Sequence, residues 1–187
     1  MDNFVEDVDL ERFEKIKAEW AAIIEANPGN VSEAHYSNGL EYCEKTVNKQ
    51  VTYSGSDGGC VCAVIKGGET FALVVITHAK KLSTSPNLKM LDMYVRPDLN
   101  LADRDPDYGV LAWVAGVAIV GCLELTYSKY LSEELKILTA FPLDSEFLTA
   151  VTAATFGRGD YAELYTVSSH ANWLVVKKKP VPTVAVG

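Results

Sequence analysis

The segment 71–76 reads Phe-Ala-Leu-Val-Val-Ile, with no polar residue to mark a solvent side. A strand sends successive side chains to opposite faces, so an unbroken apolar strand has to be buried on both. This one segment therefore demands a sheet with a covering layer on each side.

The sequence before it supplies one layer. Asp9 caps a predicted helix in which Leu10, Phe13, Ile16, Trp20, Ile23 and Ile24 recur at helical spacing, and Asn27-Pro28-Gly29 ends it. A second helix is predicted over 32–45, with Tyr36, Leu40 and Cys43 at i, i+4 and i+7, and with Gly39 inside it against helix propensity. Short β-rich runs follow at 51–54, 60–66, 70–77 and 89–95. They are separated by turn residues such as Gly67-Gly68, which is the pattern of an antiparallel meander.

Beyond Pro97 the chain is irregular through Asp107. From Tyr108 or Gly109 to about Leu125 it reads as a helix alternating Leu111, Trp113, Val114 and Val117 with Ala112, Ala115 and Ala118. A strand is expected at 135–140, then a helix capped by Asp144 or Ser145 and ended by Gly157 and Gly159, and then a closing hairpin of 161–168 and 173–179. Pro180 and Pro182 mark a disordered tail. The expectation is one mixed, mostly antiparallel α/β (α+β) domain over 1–179, flanked by helices. Within it, 89–140 forms a right-handed strand-helix-strand crossover joining two parallel strands.

Composition narrows the partners. A formal net charge of -8 repels nucleic acid and anionic lipid, and Lys177-Lys178-Lys179 is too short a run to reverse that. The segment 110–125 is interrupted by Gly116, Gly121 and Glu124, so no membrane span is expected, and the acidic N-terminus lacks the pattern of a secretory signal. Cys43, Cys60, Cys62 and Cys122 have neither Cys-x-x-Cys nor metal-type His spacing; reduced, buried thiols in a cytoplasmic protein without a metal are expected. No Gly-x-Ser-x-Gly nucleophile turn is present, and His78 and His170 read as surface or cap residues.

The run Met90-Leu91-Asp92-Met93-Tyr94-Val95-Arg96-Pro97-Asp98, followed by Gly109-Val110-Leu111-Ala112, resembles the GNAT superfamily of acyl-CoA N-acyltransferases. In that family a strand ending in Val-x-Pro leads through a glycine-rich loop into a helix whose N-terminus holds the pyrophosphate of acetyl-CoA or another acyl-CoA. A helix N-terminus suits an anion because its first N–H groups have no intrahelical partner. The resemblance implies a coenzyme A site at Met93, Tyr94, Val95, Arg96, Arg104, Tyr108, Gly109 and Val110, with 138–140 on the facing strand. It implies Asp92 as base, Tyr161 and Tyr165 as substitutes for the family's acid, and His35 and Tyr36 toward an amine acceptor on a small molecule or protein.

Two departures accompany it. The glycine-rich loop is replaced by 98–108, which carries Asp98, Asp103, Asp105 and Asp107, and 149–156 contains no Tyr. Either 98–108 is a working cofactor loop, or it is an acidic surface loop in which Asp107 caps a core helix. The corresponding functional alternatives are an acyltransferase and a catalytically altered relative that binds a partner protein, such as a phage effector of a host enzyme.

Overall fold

A computed structural model describes residues 3–53, 58–79, 86–139 and 142–180, at 142–145 for the backbone alone. In chain order the elements are β1 (Phe4–Val5), α1 (Leu10–Ala26), α2 (Glu33–Val47), β2 (Gly59–Lys66), β3 (Glu69–Ala79), β4 (Asn87–Val95), a 3-10 turn (Pro97–Leu99), α3 (Tyr108–Ser128), β5 (Glu134–Leu138), α4 (Pro142–Phe156), α5 (Gly159–Leu164), β6 (Tyr165–His170) and β7 (Trp173–Lys178). The strands form one sheet in the order β1-β2-β3-β4-β5-β7-β6. Every neighbouring pair is antiparallel except β4 and β5, which are parallel and joined through α3.

The apolar run at 71–76 lies in β3 and is covered on both sides, as its sequence requires. Leu73 and Val75 share a core with Phe13, Ile16 and Trp20 of α1 and Tyr36 and Leu40 of α2. Val74 and Ile76 join Val114, Ala118, Ile119 and Cys122 of α3 on the other side. Each such buried side chain contributes roughly 1.5–3 kcal/mol of transfer free energy. The β2–β3 turn follows from its residues: Gly67 and Gly68 have φ of 61° and 88° between the paired Lys66 and Glu69, the two positive values that a type I′ hairpin needs.

α1 begins where its capping residue places it, with the Asp9 carboxylate accepting from the Arg12 N–H at 2.8 Å. Gly39 has a packing reason: a Cβ there would lie 2.4 Å from Cε1 of Tyr94 on β4. α3 has 21 residues with a mean hydropathy of 1.9, enough by length and composition to cross a membrane, and half of that window is buried. Its apolar character is used on the sheet, where Val114, Ala115, Ala118, Ile119 and Cys122 have no more than trace exposure. The four cysteines are free and buried.

Three expectations are corrected. Residues 51–53 form no strand, because the chain from Asn3 to Val8 already lies along the free edge of β2: Phe4 faces Val64, and the Val8 N–H donates to the Val61 carbonyl at 2.7 Å. Residues 161–164 are helical, in α5, because β7 ends at Lys178 and pairs with nothing earlier than Tyr165. α4 starts at Pro142, ahead of Asp144 and Ser145, with proline at the first helical position, where its missing N–H is not needed. The expected strand ends at Ser54 and Ala140, the expected turn and loop residues among 55–57 and 80–85, and the expected tail at 181–187 lie outside the described residues.

Candidate active site

The parallel ladder between β4 and β5 runs from Asn87 opposite Glu134 to Met90 opposite Ile137 and stops there. β4 continues to Val95, still paired with β3 as far as Ala72, while β5 ends at Leu138. The two strands therefore part. At the parting point Val75 faces Asp92 and Ile76 faces Met90, which makes Leu91 the extra residue of a β-bulge. A bulge bends its strand and re-aims the side chains beyond it.

Antiparallel pairing directs alternate residues toward the partner strand. The Arg96 N–H donates to the Phe71 carbonyl of β3 at 2.9 Å, so Tyr94 also turns its backbone to β3, and Met93 and Val95 turn theirs into the gap left by β5; the Met93 N–H is taken by Asp92 there, which leaves the Met93 carbonyl and the Val95 N–H and carbonyl toward the gap. Strand backbone facing a gap is suited to an extended chain bearing amides, which pairs there as an added strand.

Side chains alternate in the same way. Met93 and Val95 pack toward α3, and Tyr94 packs toward α2. Asp92 is exposed on the α2 side; its Oδ2 accepts from the Tyr94 hydroxyl at 2.7 Å and its Oδ1 from the Met93 N–H at 2.9 Å. Burial first, then the bond to Asp92, push the Tyr94 hydroxyl far above its ordinary pKa, so it remains a donor to the carboxylate. The exposed His35 ring lies 5.9 Å from the Tyr94 ring. Asp92, Tyr94 and His35 are thus brought to one place.

Tyr36 is not. It is 3% exposed, edge-on to Trp20 in the core, and burial pushes its hydroxyl up to about 12. It cannot meet an acceptor. Two neighbours that the sequence reading missed are Tyr42, whose half-buried hydroxyl is raised by burial and by a hydrogen bond with Tyr53, and Tyr53 itself, 3.0 Å from the Thr46 hydroxyl. The available signal was the helical spacing of His35, Gly39, Tyr42 and Thr46, which puts all four on the α2 face toward β4.

Tyr161 and Tyr165 do not approach Asp92. Tyr165 pairs with Lys178, one step beyond the Glu134 end of β5, and sits three strands from β4. At about 3.3 Å per residue and 4.8 Å per strand, the separation exceeds roughly 20 Å. Both tyrosines belong to an aromatic cluster with Phe156 and Tyr127.

The loop 98–108 folds back onto the turn between α1 and α2. Leu101 is buried in the α1/α2 core, the Ala102 N–H donates to the Asn30 carbonyl at 2.8 Å, and Asp103 accepts from the Asn30 side chain at 3.1 Å. The Arg96 guanidinium is committed locally: it forks onto Asp98 at 2.7 and 3.1 Å, reaches Glu69 at 2.6 Å and lies over the Phe71 ring. Arg104 lies 4.0 Å from Asp103. At the start of α3, Asp107 Oδ1 accepts from the N–H groups of both Gly109 and Val110 at 3.0 Å. Tyr108 beside it is 65% exposed.

The residues present thus fit the amide arm of an acyl-CoA along β4 and do not fit its diphosphate at α3. The Gly109 and Val110 N–H groups that would hold phosphate are bonded to a carboxylate, and Arg96 is held by Asp98 and Glu69; Arg104 is a surface side chain, 4.0 Å from Asp103.

A mostly antiparallel sheet with one parallel pair bridged by a helix is the arrangement that the sequence resemblance implied, and the structure adds the bulge at Leu91 past which the pair parts. The fold is GNAT-like. No family model matches the sequence, and no curated protein does. Solved structures with a similar outline include the N-acetyltransferase PseH from Campylobacter jejuni in complex with acetyl coenzyme A, at 11% identity, covering 94% of this chain and 98% of that one with a TM-score of 0.46. A PaiA N-acetyltransferase from Thermoplasma acidophilum in complex with coenzyme A gives 12%, 94%, 98% and 0.43. An aminoglycoside N(6')acetyltransferase from Legionella pneumophila gives 12%, 94%, 91% and 0.47. At such identities and TM-scores the likeness carries no argument of its own, and the GNAT-like assignment rests on the strand order and the parting of β4 from β5.

Proposed function

We propose that this chain transfers an acyl group from a thioester donor to an amine on a small molecule or a protein, with the donor's amide arm lying along 91–95 of β4. The supporting observation is the end of the β4–β5 ladder at Met90 and Ile137, which leaves strand backbone facing a gap beside Asp92. The acceptor nitrogen bonds to the thioester carbonyl carbon, the C–S bond breaks, and the proton lost by the amine passes to the Asp92 carboxylate. The Tyr94 hydroxyl and the Met93 N–H each hold one Asp92 oxygen, and both oxygens keep a lone pair for that proton. A thiol of ordinary pKa, about 8.5, is a competent leaving group as its anion, so water supplies its proton and no tyrosine acid is required. His35 borders the acceptor side.

The test incubates the full chain with acetyl-CoA or S-acetylpantetheine and a panel of amines, including spermidine, an aminoglycoside and lysine peptides, and detects acylated product by mass spectrometry. Asp92→Asn is expected to lower turnover about 10²-fold or more. No product from either donor would refute the reading.

One observation favours a second reading, a GNAT-like protein that acts by binding a partner protein: α3 carries its own carboxylate where an anion would sit. In that case neither thioester is turned over and Asp92 is dispensable.

A further inference from the structure

We infer that the N-terminus of α3 is closed to phosphate by Asp107, and that the donor held at β4 is recognised through its amide arm alone. A pantetheine thioester is then as good a ligand as the corresponding coenzyme A thioester. This rests on the proposed placement of a donor along β4 and states which part of that donor the protein reads.

Four features of the chain lead there. Asp107 occupies the N–H groups of Gly109 and Val110, and the first turn of a helix has few others to offer an anion. Its negative charge sits at the positive end of the helix dipole, where a phosphate would have to displace it against like-charge repulsion. The backbone conformation that holds the carboxylate there is anchored at a distance, by buried Leu101 and by the Asn30 contacts to Ala102 and Asp103, so the cap is built into the loop. Arg96, the cation nearest in sequence to the end of β4, is held between Asp98 and Glu69 on the face of Phe71, with only 17% of its side chain exposed. None of these features touches the β4 backbone at 93 and 95, which is why the two halves of a coenzyme A molecule meet such different surfaces.

The experiment is calorimetric titration of the full chain with pantetheine and, separately, with coenzyme A. For the unaltered protein the two dissociation constants are expected to agree within about threefold, with little dependence on salt. In Asp107→Gly, which removes the carboxylate at a position where glycine is tolerated, coenzyme A is expected to bind about tenfold tighter while pantetheine is unchanged. Asp107→Asn keeps a capping side chain without the charge. It is expected to move coenzyme A in the same direction by less, and it remains informative if the glycine variant unfolds. If coenzyme A already binds the unaltered chain ten times more tightly than pantetheine, or if neither variant improves it, the inference is overturned and the donor site at β4 stands. If neither compound binds, the placement of a donor on β4 fails, and this inference fails with it.

Discussion

Gly39→Ala tests the contact that joins α2 to β4. A Cβ at this position would lie 2.4 Å from Cε1, 2.5 Å from Cδ1 and 3.1 Å from Cζ of Tyr94. Carbon atoms pack at about 3.5–4.0 Å, so the ring or the helix has to move by roughly 1 Å. The ring is not free to do so: Tyr94 is 8% exposed, its backbone faces Leu73 in the ladder, and its hydroxyl is tied to Asp92 at 2.7 Å. Overpacking of this kind costs about 1–3 kcal/mol, while exchanging glycine for alanine inside a helix returns up to about 1 kcal/mol. A net loss of roughly 1–2 kcal/mol is expected, which for a domain of this size lowers Tm by about 2–8 °C. Urea unfolding followed by circular dichroism measures it. A second measurement replaces Tyr94 with Leu in the Gly39→Ala background: with the ring gone, the added methyl should no longer be harmful, giving a coupling of about 1 kcal/mol or more. A Gly39→Ala variant as stable as the original protein, with no coupling to position 94, would refute the packing argument.

Three further outcomes are expected. Arg96→Met removes the fork onto Asp98 and the Glu69 contact while keeping apolar cover on Phe71; since both carboxylates remain partly exposed, the loss in urea unfolding should be about 1–2 kcal/mol. Burial raises Tyr36 from 10.0 to about 12 and Cys43 from 9.0 to about 12. In each case the unfolded chain loses its proton first, so stability is unaffected below about pH 9 and falls as pH rises from about 9 to 12. Tyr36→Phe should reduce that fall by on the order of 2–3 kcal/mol in urea midpoints collected across the range. Tyr161→Phe and Tyr165→Phe should leave acyl transfer unchanged, because register places Tyr165 more than about 20 Å from Asp92 and the Tyr161 ring lies beside it, 6.1 Å between centroids; a tenfold fall in turnover in either variant would contradict that placement.

Much of the frame was legible because it depends on local patterns. The unbroken 71–76 run required two layers, Gly67-Gly68 required a tight hairpin, and Asp9 and Asp107 cap helices as their positions suggest. Of the two readings of 98–108, a cofactor loop or an acidic loop whose Asp107 caps α3, the cap is the part that the structure displays, in two hydrogen bonds from the α3 backbone. What stayed hidden depends on distant parts of the chain. Residues 51–53 have strand-like composition, but the edge they would join is taken by the N-terminal segment, some fifty positions earlier in sequence. Residues 161–164 lose their strand to the length of β7. Tyr36 and His35 are adjacent in sequence, and only the packing of α2 on the sheet buries one and leaves the other beside Tyr94.

A donor lying on the backbone of β4 beyond its bulge would be seen in the amide chemical shifts of the full chain during titration with pantetheine. Saturable shifts are expected to concentrate at Met93 and Val95, whose backbone faces the gap left by β5, with smaller changes at Asp92 and Tyr94. Saturable shifts elsewhere on the chain with 91–95 unmoved, or no shifts at millimolar pantetheine, would contradict it.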